Sequence, residues 1–154
     1  MPPALRHTIT LVARVLLSLI FVLSAVDHLR HWEGTVKRMT AAGMGFEGVF
    51  GSSAPAVVHV LLTLAVAFLL LGGLSVMLGL RARWGAVMLL VFFVPATLVF
   101  HDFWTLPPGS DEYSNQMHHF MKNLGLMGGL LTVLGFGPGG FSLEAFLPRR
   151  SPPA

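Results

Sequence analysis

Four stretches of the chain, residues 8–26, 54–80, 84–101 and 116–136, are almost continuously apolar, and the segments between them are polar or turn-forming. Each stretch has about the length an α-helix needs to cross a hydrocarbon core of about 30 Å. The pattern predicts an all-α membrane protein: a four-transmembrane-helix bundle forming a single domain over residues 1–154. The longest connection, residues 27–53, carries Trp32, Val36 and Met39 at helical spacing beside Lys37 and Arg38. That spacing predicts a short interfacial helix between helices 1 and 2. It should end near Ala42 and Gly43, because Gly43, Gly45 and Gly48 break the periodicity. The connection over 103–115, with Pro107, Pro108, Gly109 and acidic residues, reads as an exposed turn. No internal repeat or low-complexity tract is visible.

Composition agrees with the pattern. Hydrophobic residues make up 54% of the chain and charged ones 11%, far less charge than a soluble domain carries. A basic Arg6 before the first apolar run and Leu23-Ser24-Ala25 at its end loosely resemble a cleaved leader. Arg14 interrupts that run, and Leu23 is large where cleavage wants a small side chain, so the segment reads as a retained helix.

Charge sets the orientation. Arg6, Arg81, Arg83, Arg149 and Arg150 fall at one surface, with Glu144 as its only acid. The other surface carries Arg30, Lys37 and Arg38 among Asp27, Glu33, Glu47, Asp102, Asp111 and Glu112. Loops rich in arginine stay in the cytoplasm, so both termini are expected there. The net charge of +3 contains no basic stripe of the kind that binds nucleic acid. With no cysteine, the chain performs no thiol–disulfide exchange of its own.

Small residues mark expected contact faces: Gly125 and Gly129 in a G-x-x-x-G spacing, and Gly72, Ser75 and Gly79 on another helix. Pro95 lies midway along the third helix and deprives the Val91 carbonyl of its usual partner. A kink there would aim His101 inward.

The polar residues bear the chemistry. Six of the seven histidines, His28, His31, His59, His101, His118 and His119, fall at the same ends of the four apolar segments, so an up-and-down fold gathers them on the outer side. Gln116, His119, Lys122 and Asn123 follow i, i+3 and i+4 relations and share one face of the fourth helix. Polar groups within a span are costly and are functional candidates by default. The expected ligand-binding set is His101, His119, Lys122, Asn123 and Gln116 with Asp27, His28 and His59. Phe92, Phe93, Phe100 and Phe120 are available as apolar walls. His31 and His118, with Trp32, Trp104 and Tyr113, fit an interfacial belt of half-polar rings, and Arg14, near the other surface, fits a snorkelling or bracing role.

So many histidines also suggest a metal or haem site. Against it, an unpaired Lys122 ammonium about 5 Å from a metal would be repelled by about 3 kcal/mol per unit of metal charge at an effective dielectric of 20. No two histidines stand at i, i+4 spacing either. No resident cofactor is expected; a quinone is the candidate bound cofactor.

Several pieces resemble the DoxX family of small bacterial membrane proteins. Phe100-His101-Asp102-Phe103-Trp104, followed by His119-Phe120-Met121-Lys122-Asn123-Leu124 and Gly128-Gly129-Leu130-Leu131, carries the most specific part of the resemblance. Arg14, Ser24-Ala25-Val26-Asp27-His28-Leu29, Ala41-Ala42-Gly43, Leu71-Gly72-Gly73 and Leu78-Gly79-Leu80 extend it. The resemblance implies a multi-pass protein of the bacterial inner membrane with an oxidoreductase association, related to thiosulfate:quinone oxidation and to membrane complexes handling oxidative stress. Two positions depart from the pattern. His28 stands where family members often carry lysine, and Phe68 to Leu71 are apolar where members often carry a glutamate, so a proton relay through that glutamate does not transfer.

Three readings follow from the sequence. The first is a redox subunit binding a quinone or small sulfur oxyanion at the outer face. The second is a non-enzymatic anchor or scaffold that recruits a redox or oxidative-stress enzyme. The third is the histidine-ligated metal or haem site. The partners they imply are the lipid bilayer, a soluble or membrane redox protein, and a second copy of the chain.

Overall fold

The computed structural model describes residues 1–147, so Arg149 and Arg150 lie outside the described residues. The chain forms α1 (Pro3–Arg30), α2 (Trp32–Ala41), α3 (Glu47–Phe50), α4 (Ala54–Leu78), α5 (Ala82–Phe100), α6 (Asp111–Phe136) and α7 (Leu143–Phe146), with single 3-10 turns at Gly51–Ser53 and Phe103–Thr105. Among the described residues there is no strand. The all-α expectation stands.

Local chemistry sets the helix ends. α6 begins at Asp111, five residues before the apolar run, because the Ser110 hydroxyl accepts from the Tyr113 amide at 3.1 Å and Asp111 and Glu112 occupy the positive first turn. α4 stops at Leu78 because Gly79 takes a left-handed conformation, φ 67°. α2 ends at Ala41, ahead of Gly43 at φ 73°, close to where the glycines predict. α5 runs unbroken through Pro95. Two residues on, the Thr97 hydroxyl donates to the Phe93 carbonyl at 2.7 Å.

The long helices pack in chain order, α1 on α4, α4 on α5 and α5 on α6, while α1 and α6 touch sparsely. Phe21, Leu62, Leu89 and Leu130, one from each long helix, are fully buried at the centre. The α4–α5 contact depends on missing side chains. A Cβ on Gly72 would stand 2.8 Å from Leu89 Cγ and 3.0 Å from the Gly85 carbonyl oxygen, and a Cβ on Gly85 would meet Ser75 Oγ at 2.6 Å. The G-x-x-x-G pair divides: Gly129 closes on Leu17 of α1, whereas Gly125 has no neighbour within 4 Å.

Arg14 braces the opposite end and is only 2% exposed. Its guanidinium donates to the carbonyls of Met77 (3.2 Å), Phe141 (2.8 Å) and Pro138, fastening the segment after α6 to α1 and α4. Gly79 is the floor for this group, since a Cβ there would lie 2.9 Å from Arg14 Cζ. The Gly140 amide donates to His7 Nδ1 at 3.2 Å in the same junction.

Three stretches, Pro3–Arg30, Glu47–Leu78 and Ala82–Thr105, are long and apolar enough to cross a membrane. α6 has the length, 26 residues or about 39 Å, but His118, His119, Lys122 and Asn123 lower its apolarity.

Candidate functional site

The polar faces of α5 and α6 meet at one end of the bundle. His101 caps the C-terminus of α5, its amide bonded to the Thr97 carbonyl at 3.0 Å, and its ring stacks on His119 of α6 with centroids 5.2 Å apart and planes 17° from parallel. Gln116 Oε1 lies 2.8 Å from His101 Nδ1, and the same amide donates to Glu112 Oε1 at 2.9 Å. Lys122 Nζ lies 3.1 Å from His119 Nδ1. Residues 112, 116 and 119 stand four and three apart on α6, so the helix itself aligns them; Lys122 continues the row one turn deeper.

These partners fix the tautomers. An amide oxygen only accepts, so His101 Nδ1 carries a proton and, in the neutral ring, Nε2 is the acceptor. An ammonium only donates, so His119 Nδ1 accepts and its Nε2–H is free to donate. The pair therefore offers one acceptor and one donor, and Lys122 adds its ammonium at the Nδ1 edge of His119, away from the free Nε2–H. Such a set suits a carbonyl or oxyanion that alternates with a protonated form.

Aromatic rings cluster among themselves in the turn after α5 and on α6. Phe103, in the turn after α5, meets Trp104 (5.3 Å), Tyr113 (5.5 Å) and Phe120 (5.4 Å) edge to face. Of the expected apolar walls, Phe120 belongs to this cluster, whereas Phe93 packs edge-on against Phe21 at 5.1 Å and Phe92 and Phe100 join the core.

The other sequence-predicted residues stand apart from the stacked pair. Asn123 is 5% exposed and donates to Thr97 Oγ1 at 3.1 Å, so its amide ties α6 to α5 beneath the histidines. His59 accepts from Trp32 Nε1 at 3.2 Å and stacks on that indole, joining α4 to α2. Asp27 pairs with the exposed His31 at 2.9 Å. His28 Nδ1 is buried without a hydrogen-bond partner among the described residues, at the end of a shallow groove of about 470 Å³ along α1 lined by Leu16, Leu19, Ile20 and Leu23. Two contributors were missed from sequence. Glu112, four residues before Gln116, was legible from helical spacing, but Thr97 becomes visible only once the rotation of α5 against α6 is known.

Among the described residues no three histidine, aspartate or glutamate side chains form a metal-ligand set. The two central rings lie face to face instead of converging on a point.

Known membrane proteins are similar to this chain in sequence. The inner membrane protein YphA of Escherichia coli (strain K12) is 26% identical over 141 residues, covering 92% of this chain and 91% of that protein. The inner membrane protein YqjF of the same organism is 28% identical over 141 residues, 91% and 92% of the two chains. A local match of 69 residues at 30% identity links 45% of the chain to 23% of the Surfeit locus protein 4 homolog of Schizosaccharomyces pombe. No solved structure matches the chain significantly. The DoxX family model matches residues 9–102, from the first apolar helix through the histidine that caps α5, and with three apolar helices of membrane-crossing length this chain is a membrane protein belonging to the DoxX family.

Proposed function

We propose that the chain is a redox-associated subunit of a bacterial inner membrane that binds a quinone headgroup or a small sulfur oxyanion at its outer face, between α5 and α6. The observation that carries this reading is the stacked His101–His119 pair with the Lys122 ammonium on one side and Gln116 on the other. A quinone carbonyl accepts from His119 Nε2–H, a hydroquinone hydroxyl donates to His101 Nε2, and Lys122, held at the opposite ring edge of His119, acts through its charge. Negative charge on a bound oxygen, whether an oxyanion's own or formed when an external redox partner supplies the electrons, is stabilised by the ammonium already in place. An oxyanion uses the same donor and the same charge. Asn123 acts beneath the site as a brace, and Asp27, His28 and His59 line the same outer end without touching the pair.

In this reading α6 is the fourth span. Its polar first half faces the site and the outer headgroups, and its apolar second half, from Leu124 to Phe136, completes the crossing. α2 lies in the outer interface, with Met39 and Trp32 turned to the bundle and Lys37 and Arg38 exposed. The arginines of the α4–α5 turn hold both termini in the cytoplasm. Reporter fusions should then place residues 45 and 108 outside and both termini inside; an odd number of crossings contradicts the arrangement.

Titrating the purified protein with decylubiquinone and, separately, with thiosulfate tests the site. Saturable binding of one of them that is lost when His101 and His119 are both replaced by Phe is the expected result. Failure of both to bind the intact protein leaves a recruiting anchor as the better account.

A further inference from the structure

A second concavity, of about 430 Å³, lies at the end of the bundle opposite the histidine pair, between the α4–α5 turn and the C-terminal end of α6. Arg81, Arg83, Trp84, Phe136, Gly137 and Glu144 are among the residues that line it. Nothing in the proposed redox site uses them. Arg81 takes a left-handed backbone conformation, φ 49°, which a glycine would adopt with less strain. The chain places an arginine there nonetheless, at the N-cap of α5, two residues before a second arginine. Arg83 reaches across to the end of α6, its guanidinium lying beside Gly137, the C-cap of that helix.

The charges are uncommitted. Among the described residues neither Arg81 nor Arg83 makes an ion pair, and the Glu144 carboxylate in the same concavity lies beyond 4 Å from both guanidinium groups. Two guanidinium groups and one carboxylate leave a single net positive charge, to which the N-terminal end of the α5 dipole adds while the C-terminal end of the α6 dipole opposes it. The rim is apolar and aromatic, with Trp84 70% exposed and Phe136 88% exposed. Rings of this kind settle at the boundary between headgroups and acyl chains.

We infer that this concavity is a headgroup site for an anionic phospholipid. The singly charged phosphodiester sits between Arg81 and Arg83, and the acyl chains descend past Trp84 and Phe136 into the bilayer. Glu144 disfavours a doubly charged phosphomonoester by adding like charge. Basic pockets between helices at a cytoplasmic surface bind acidic headgroups by the same forces. Free phosphate shares the ionic contact but gains nothing from the aromatic rim. The inference rests on the membrane-spanning reading of α4, α5 and α6 and is independent of any redox role.

The test uses the full chain with Trp32→Phe and Trp104→Phe, which leaves Trp84 as the single tryptophan. Reconstituted into bilayers, Trp84 reports lipid contact through quenching by brominated acyl chains. Brominated phosphatidylglycerol should quench with a relative binding constant about fivefold above that of brominated phosphatidylcholine, the preference expected for one uncompensated positive charge at the headgroup level. Arg81→Gln with Arg83→Gln should bring the two lipids to parity, whereas Arg6→Gln, on the same surface outside the concavity, should keep the preference. Equal quenching by the two lipids in the arginine-intact chain overturns the proposal without recourse to any arginine variant, and so does a preference that survives the double arginine change. Excess inorganic phosphate, compared with sodium chloride of matched ionic strength, should leave the preference in place. Its selective loss in phosphate would identify a free-anion site and overturn the lipid assignment.

Discussion

The polar side chains of the long helices fall into two groups, the buried ones that brace the fold and the half-buried or exposed ones at its outer end. Asn123 and Thr97 hold one helix to another, and Arg14 holds a terminal segment, each with its hydrogen-bonding capacity turned to the protein. His101, His119 and Lys122 hold each other and keep donors and acceptors in reserve. Arg14 makes the first role testable. Its guanidinium is the described partner of three carbonyls, and each buried carbonyl left bare costs about 1 kcal/mol or more. Arg14→Met should destabilise the folded protein by about 3 kcal/mol and release residues 138–146. Arg14→Lys should rescue little, because one ammonium cannot span the three acceptors as a planar fork does. Thermal unfolding in detergent and hydrogen exchange over 138–146 check this, and unchanged exchange in Arg14→Met would show that the segment docks without the guanidinium.

At the scale of elements, the apolar periodicity located every long helix, and the glycines and proline-rich turn located the breaks between them. The helix ends were less legible. α6 starts at Asp111 because of a serine cap, and α1 extends from Pro3 to Arg30, past the apolar run at both ends, because polar residues also propagate a helix once it has begun. The value of each glycine was illegible as well, since a small residue reads alike whether its face is covered or open. Gly72 lies against Leu89 and the Gly85 carbonyl, so Gly72→Ala should force α4 and α5 apart at a cost of about 1–3 kcal/mol. Gly125 has no neighbour within 4 Å, so Gly125→Ala should be neutral, or stabilising by up to about 1 kcal/mol through helix propensity. Comparing the two variants by unfolding in mixed micelles separates packing from propensity. A destabilised Gly125→Ala would instead report a close contact with a second copy of the chain.

For the molecule as a whole, the up-and-down path decides what meets. It brings the C-terminal end of α5 beside the N-terminal half of α6, so Gln116, His101, His119 and Lys122, expected together from the sequence, do come together. Asp27, His28 and His59 share that end but not that cluster, because spacing along a sequence gives depth and says nothing about the angular position of α1 and α4 around the bundle. The docking of Arg14 on Pro138 and Phe141, more than a hundred residues away, has no local signal at all. The DoxX-type bundle was therefore legible down to its helices, and the candidate site down to one helix face and one neighbour. Replacing Lys122 by Met tests the central claim most directly, because Met keeps the length and apolar stem of the side chain and removes only the charge. In correctly inserted protein the account predicts stability near that of the parent chain and affinity for decylubiquinone or thiosulfate weakened tenfold or more, a loss of at least about 1.4 kcal/mol. Unchanged affinity in Lys122→Met, with only a modest change in insertion or stability, would contradict it and leave Lys122 as a snorkelling anchor.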